Sequence, residues 1–219
     1  MGATNRGYEK RSESGEGTDR LQFFSDAVFA IAMTLLVIDI DVPKLAHETG
    51  ENLWSGLLKE WPSLLAYALS FLVISLAWRG HHSKFRHITR YNGRLVSLDL
   101  LLLFFIAFVP YPTSVISEYG DLVPSVVLYA GTVAIITIIQ SAIWVYAYRA
   151  GLTDETVDAG FYAWVFRNEL STPIVFLVSI PVAFLWNARA AMFFWILSWP
   201  LSVIIGRYEP KPRAGSPVG

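Results

Sequence analysis

Two aspartates frame the stretch of this sequence whose residue types and spacing could handle ions. The segment Arg20 to Val42 reads RLQFFSDAVFAIAMTLLVIDIDV, and the twelve residues between Asp26 and Asp39 carry no charge. As an α-helix those twelve span about 18 Å. A bilayer core is about 30 Å thick, so a helix crossing here carries both carboxylates near or inside the hydrocarbon boundary, where they need water or partners. A helix lining an aqueous path offers water directly; one surrounded by lipid offers none.

Helical spacing adds a second observation. Ile31, Thr34, Leu35 and Ile38 recur at i, i+3, i+4 and i+7 and stack on one face, with Asp41 following toward the C-terminal end. Several copies around an axis, that face inward, would make a narrow apolar neck whose mouth is ringed by Asp39 and Asp41. The same spacing equally fits a face packed against other helices of its own chain.

The start of the segment narrows the choice. Arg20, three residues, then Phe24-Ser25-Asp26 spell RxxxFSD, followed by AVFAIAMTLLVID. This closely resembles the signature of the transmembrane-protein-175 family, the endosomal and lysosomal potassium channels and their prokaryotic relatives. The resemblance implies an all-α membrane protein with six transmembrane helices per subunit. It also implies a homotetramer whose first helix lines a central pore, as in members with one six-helix unit per chain. Arg20, with Ser25 and Asp26 at the same depth, would tie the base of that helix to its neighbours. The permeant ion would be potassium, and the partners would be other copies of the chain, the lipid bilayer and monovalent cations. Neither a resident cofactor nor a nucleic-acid partner is implied, and a bacterial plasma membrane is the expected location.

Composition agrees with a membrane class. Hydrophobic residues are 54%, charged residues 16%, and there are eight Trp. Without cysteine there is no disulfide framework and no thiolate site. Six hydrophobic runs read as spans: about Phe23 to Val42, Trp61 to Trp78, Leu95 to Ile116, Val123 to Tyr148, Ser171 to Trp186 and Ala190 to Ile205. The last two form a tight hairpin across Asn187, Ala188 and Arg189, expected to be bent by Pro173, Pro181 and Pro200. The chain thus divides into a disordered cytoplasmic tail (1–20), a six-helix channel domain (21–206) and a second tail (207–219). Of the 17 Lys and Arg, all but Lys44, Lys59 and Arg189 fall on the side that holds both termini, so both are expected to be cytoplasmic. On the other side Glu48, Glu51 and Glu60 join Asp39 and Asp41 to make an acidic outer face. Trp54, Trp61, Trp78, Tyr91, Tyr111, Trp186, Trp195 and Trp199 read as interfacial anchors.

Other chemistry is thinly represented. No HExxH, GxSxG, Walker loop or GxGxxG is present. His81, His82 and His87 lie in a basic stretch with Lys84, Arg86 and Arg90 that would repel a metal cation. Their expected role, with Trp78, is hydrogen bonding at the cytoplasmic end of the second helix, where Trp78-Arg79-Gly80-His81-His82 resembles the Trp and His residues of the family. Asp99, inside the third span, reads as an internal partner for Arg20, Arg94 or another cytoplasmic-side cation, or as an ion or proton site. No TVGYG-like filter and no Arg at every third position of a helix appears. If this is a channel, Ile31 and Ile38 pinch the path, Thr34 hydroxyls offset part of ion dehydration, and Phe24, Ala27 and Val28 continue the wall. The competing functional classes are a proton- or cation-coupled secondary transporter using Asp26 and Asp99, and a non-conducting scaffold or membrane enzyme.

Overall fold

The computed structural model describes residues 13–14, 16–44 and 49–196. A short strand β1 (Glu13–Ser14) leads into helix α1 (Glu16–Leu35), which tightens into a 3-10 turn at Leu36–Asp39. After it come α2 (Gly50–Lys59), α3 (Trp61–Phe85), strand β2 (Arg90–Tyr91), α4 (Gly93–Phe108) and α5 (Pro110–Tyr119). The chain then runs through α6 (Val123–Arg149), α7 (Ala159–Leu185) and α8 (Ala188–Ile196). β1 and β2 pair antiparallel, Glu13 opposite Tyr91, and so fasten the entry of α1 to the α3–α4 turn.

Among the described residues five helices are long and apolar enough to cross a membrane: Asp19–Ile38, Trp61–Phe85, Gly93–Tyr119, Val123–Arg149 and Ala159–Leu185. Of the sixth expected span only α8 is described. Residues 197–205, with Trp199 and Pro200, lie outside the described residues, as do residues 1–12, 15 and 207–219 of the expected tails. The tail boundary expected at Arg20 moves back, because α1 is already helical from Glu16.

Local chemistry sets the helix ends. Asn92 caps α4 by accepting from the Leu95 amide, and Asp158 caps α7 by accepting from Phe161. The third span is broken at Pro110, which has no N–H to return to Ile106. Val109 bonds the Ile106 carbonyl instead, in a tighter turn. α6 stops at Gly151, whose φ of +65° is open to glycine without penalty. The Leu152 amide then reaches back to Ala147 and that of Gly151 to Tyr148, with Leu152 tucked into the core. α7 continues through Pro173 and Pro181.

Two apolar clusters share α6 as a common wall. One joins Phe29 and Ala32 of α1 and Leu36 of the 3-10 turn to Ile74, Leu102, Ile106 and Ile143. The other joins Ile116, Tyr129, Phe176, Ala183 and Trp195. Accordingly 61% of the apolar window of α6 is buried, against 22% for α1 and 17% for α3, so α6 is the post of the fold and α1 and α3 are its most exposed spans. Trp54, Trp61, Tyr111 and Trp186 are exposed as interfacial residues should be. Trp195 is not an anchor: it stacks between Tyr129 and Phe176 and donates to Ser179 Oγ at 2.8 Å, a partner its position near a span end did not disclose.

Candidate functional site

α1 is two-faced, and its register explains how. Ser25, Phe29, Ala32 and Leu36 recur on one side and are all buried, the α1 members against α3 and α4. The opposite side carries Phe24, Ile31, Thr34, Leu35 and Ile38, all exposed in the protomer, Ile31 at 57% and Ile38 at 71%. Packing of this face within its own chain, one of the two arrangements its spacing allowed, is therefore not found among the described residues. Ala27 lies on the exposed side, whereas Val28 is half-buried against the first core cluster. Thr34 Oγ1 donates to the Ile31 carbonyl at 2.8 Å, leaving the hydroxyl oxygen's lone pairs for other donors or cations. Asp41 is exposed, and the backbone of Asp39 closes the 3-10 turn. Glu48 and His47 lie outside the described residues.

At the N-terminal base of α1 a polar network crosses three helices. Asp99 of α4 is fully buried, with Ser25 Oγ donating to it at 2.6 Å and His81 Nε2 of α3 at 2.7 Å from its other oxygen. Ser25 also lies 2.9 Å from the Leu21 carbonyl, so its single proton has two acceptors within reach. Beside this cluster, Trp78 Nε1 donates to Asp26 Oδ1 at 2.8 Å. Gln22 Nε2 reaches His82 Nδ1 at 2.9 Å, and Asp26 Oδ2 stands 4.0 Å from the same nitrogen. Aromatic rings wall this off: Phe85 stacks on His81 with centroids 4.2 Å apart, and Phe29 leans on it at 5.4 Å.

The structure thus brings together Ser25, Asp26, Trp78, His81 and His82, and joins Asp99 to them. Two expectations change. Asp99 is not paired with Arg20 or Arg94 but with His81 and Ser25, because α3 continues as a helix to Phe85 and carries His81 inward rather than into a loop. Arg20 is exposed, and its guanidinium makes no hydrogen bond or ion pair among the described residues. Gln22 went unrecognised, although its place one turn before Asp26 on the same face was a usable signal. A second polar cluster was also missed. Lys84 is buried and paired with Glu169 of α7, and its ammonium also reaches the Gln140 carbonyl and side-chain oxygen at 3.3 and 3.4 Å.

The segment holding every member of the α1 network is also the one with a recognised family pattern. Residues 20–110 match the family model of the endosomal/lysosomal potassium channel TMEM175. A potassium channel of Streptomyces collinus is 41% identical over 153 residues, covering 68% of this chain and 71% of that protein. The chain belongs to the TMEM175 family. A potassium channel of Chamaesiphon minutus is 34% identical over 174 residues, covering 77% of this chain and 85% of the relative. The crystal structure of a lysosomal potassium-selective channel TMEM175 homologue from Chamaesiphon minutus superimposes with a TM-score of 0.73 at 30% identity, covering 89% of this chain and 99% of that one. The TMEM175 family is one of channels, not enzymes. The structural likeness extends past the matched segment, so α6 and α7 belong to the shared fold as well.

Proposed function

We propose that this chain is a subunit of a potassium-permeable cation channel in which four copies of α1 meet at an axis. Ile31, Leu35 and Ile38 form the neck that serves as both gate and filter. Thr34 lines it between them, Phe24 and Ala27 continue the wall inward, and Asp39 and Asp41 concentrate cations at the outer mouth. The observation that carries this reading is the division of α1 into a buried face and an exposed face, with the exposed one bearing the whole apolar set between two acidic ends. An apolar ring opens and closes by wetting, and it favours potassium over sodium through the smaller cost of stripping potassium's water. Ser25, Asp26, Trp78, His81, His82 and Asp99 hold the base of α1 in position. Arg20, without a partner among the described residues, has its partner across a subunit boundary in this arrangement. The distribution of Lys and Arg supports a cytoplasmic location for both termini. Membership of a channel family favours conduction over coupled transport.

Reconstitution in liposomes tests the neck. Ile31→Asn and Ile38→Asn put a hydrogen-bonding side chain where water is excluded, so potassium flux should rise about tenfold if the barrier falls by about 1.4 kcal/mol, and discrimination against sodium should shrink. Unchanged flux and selectivity in both variants would remove these residues from the conduction path.

A further inference from the structure

Between α3 and α7, floored by α6, the described residues leave an open groove of about 1820 Å3, lined along α3 from Leu65 to Arg86. That exceeds the roughly 300–1,000 Å3 of pockets shaped for compact solutes. Its middle is apolar, walled by Leu69, Leu72, Val73 and Leu76 on one side and by Ile136 and Phe176 on the other.

Its two ends differ in charge. At the outer end stand Glu118 and Asp121, with Arg189 held by Asp121 through a two-pronged bond at 2.6 and 2.8 Å. At the cytoplasmic end Arg79, Ser83 and Arg86 line the groove from one face of α3, spaced by four and three residues. All three are exposed, and neither guanidinium makes an ion pair among the described residues. Lys84, also at this end, is neutralised by Glu169. On the opposite wall Trp164 carries a buried indole N–H without an acceptor, and Asn168, one turn along α7, a buried amide oxygen without a donor, among the described residues.

We propose that this groove is a binding site for an anionic phospholipid of the cytoplasmic leaflet, its acyl chains along Leu69, Val73 and Phe176 and its phosphate between Arg79 and Arg86. The occupant follows from charge and shape together. The walls take hydrocarbon, the outer mouth repels an anionic head and the inner mouth attracts one. A headgroup with both phosphate oxygens and free hydroxyls, as in phosphatidylglycerol, matches an unpaired donor at Trp164 beside an unpaired acceptor at Asn168. The site is separate from the α1 neck. It rests on the proposed orientation only in naming the leaflet.

The test reads lipid retention rather than ion flux, so a failure of the pore assignment leaves it standing. The purified assembly in mild detergent is titrated with dioleoylphosphatidylglycerol or dioleoylphosphatidylcholine, and lipid retained per subunit is counted by native mass spectrometry. Phosphatidylglycerol should be held about tenfold more tightly than phosphatidylcholine, and the double variant Arg79→Ala/Arg86→Ala should erase that preference. Arg94→Ala removes an exposed cytoplasmic-side cation outside the groove and should leave the preference intact. Val73→Trp, which fills the apolar middle, should weaken both lipids, with circular dichroism confirming that each variant stays helical. Equal affinity for the two lipids, a preference surviving the double variant, or one lost equally in Arg94→Ala overturns the proposal. So does efficient disulfide cross-linking between copies bearing Leu72→Cys, which would put a second subunit in the groove.

Discussion

Asp99 is a carboxylate with no solvent contact, held by one hydroxyl and one imidazole from two different helices. Such a group is tolerable only while both donors stay, because each buried polar atom left without a partner costs about 1–3 kcal/mol. Asp99→Ala strands His81 Nε2 and leaves Ser25 Oγ only the Leu21 carbonyl. It should therefore destabilise the protein by about 2–3 kcal/mol, seen as a clear fall in the thermal unfolding temperature in detergent. Trp78→Phe deletes one half-buried bond to Asp26 and should cost about 1 kcal/mol in the same measurement. A Trp78→Phe loss as large as that of Asp99→Ala would mean that the network is not centred on Asp99. That an intramembrane aspartate needs a partner was legible from residue type and position. Which partner was not, because Arg20 and Arg94 are nearer to hand in composition, whereas His81 becomes available only once α3 is known to run past Trp78.

That difference belongs to the elements. Hydropathy marks where a helix crosses lipid, not where its backbone hydrogen bonds stop. Arg79 to Phe85 is polar but holds no proline or turn-forming pair to end α3, and the twelve residues before Ser171 likewise extend α7 back to Ala159. Pro110 shows the converse: it breaks the third span inside an unbroken apolar run. α8 is docked at its start by the exposed pair of Arg189 and Asp121, and the hydrogen bond from Arg189 holds the Asp121 carboxyl below the usual carboxylate range. A carboxylate depressed in the folded state adds stability above its unfolded value, near 3.9, and loses it as pH falls through the lower folded one. Hydrogen exchange at Ala188–Ile196 should thus be slower in the wild type than in Asp121→Asn from neutral pH to about 4, with the difference vanishing in stronger acid. A difference that already disappears near pH 6 would mean that the pair does not secure α8. Its exposure makes it a device for register more than for stability.

For the whole molecule, exposed apolar surface alone decides little, since lipid accepts it: Phe104, Phe184 and Leu185 are as exposed as Ile31 and need no partner but acyl chains. What sets α1 apart is acid at both ends of an apolar stretch about 18 Å long, too short to hold either carboxylate clear of hydrocarbon unless water enters. The membrane class and the α1 faces were legible for that reason. The placement of α6 as the central post was not, because its sequence is apolar on all sides and names no neighbour. The proposed arrangement of copies around α1 can be tested directly, since the chain has no cysteine to confuse it. Single substitutions Ile31→Cys and Ile38→Cys should cross-link between copies under mild oxidation and react with small water-soluble thiol reagents in liposomes. Ala32→Cys, on the buried face, should do neither. Should Ile38→Cys stay monomeric and react only with membrane-permeant maleimides, this face meets lipid. Asp26 and Asp39 would then have to find their water along another surface of the molecule.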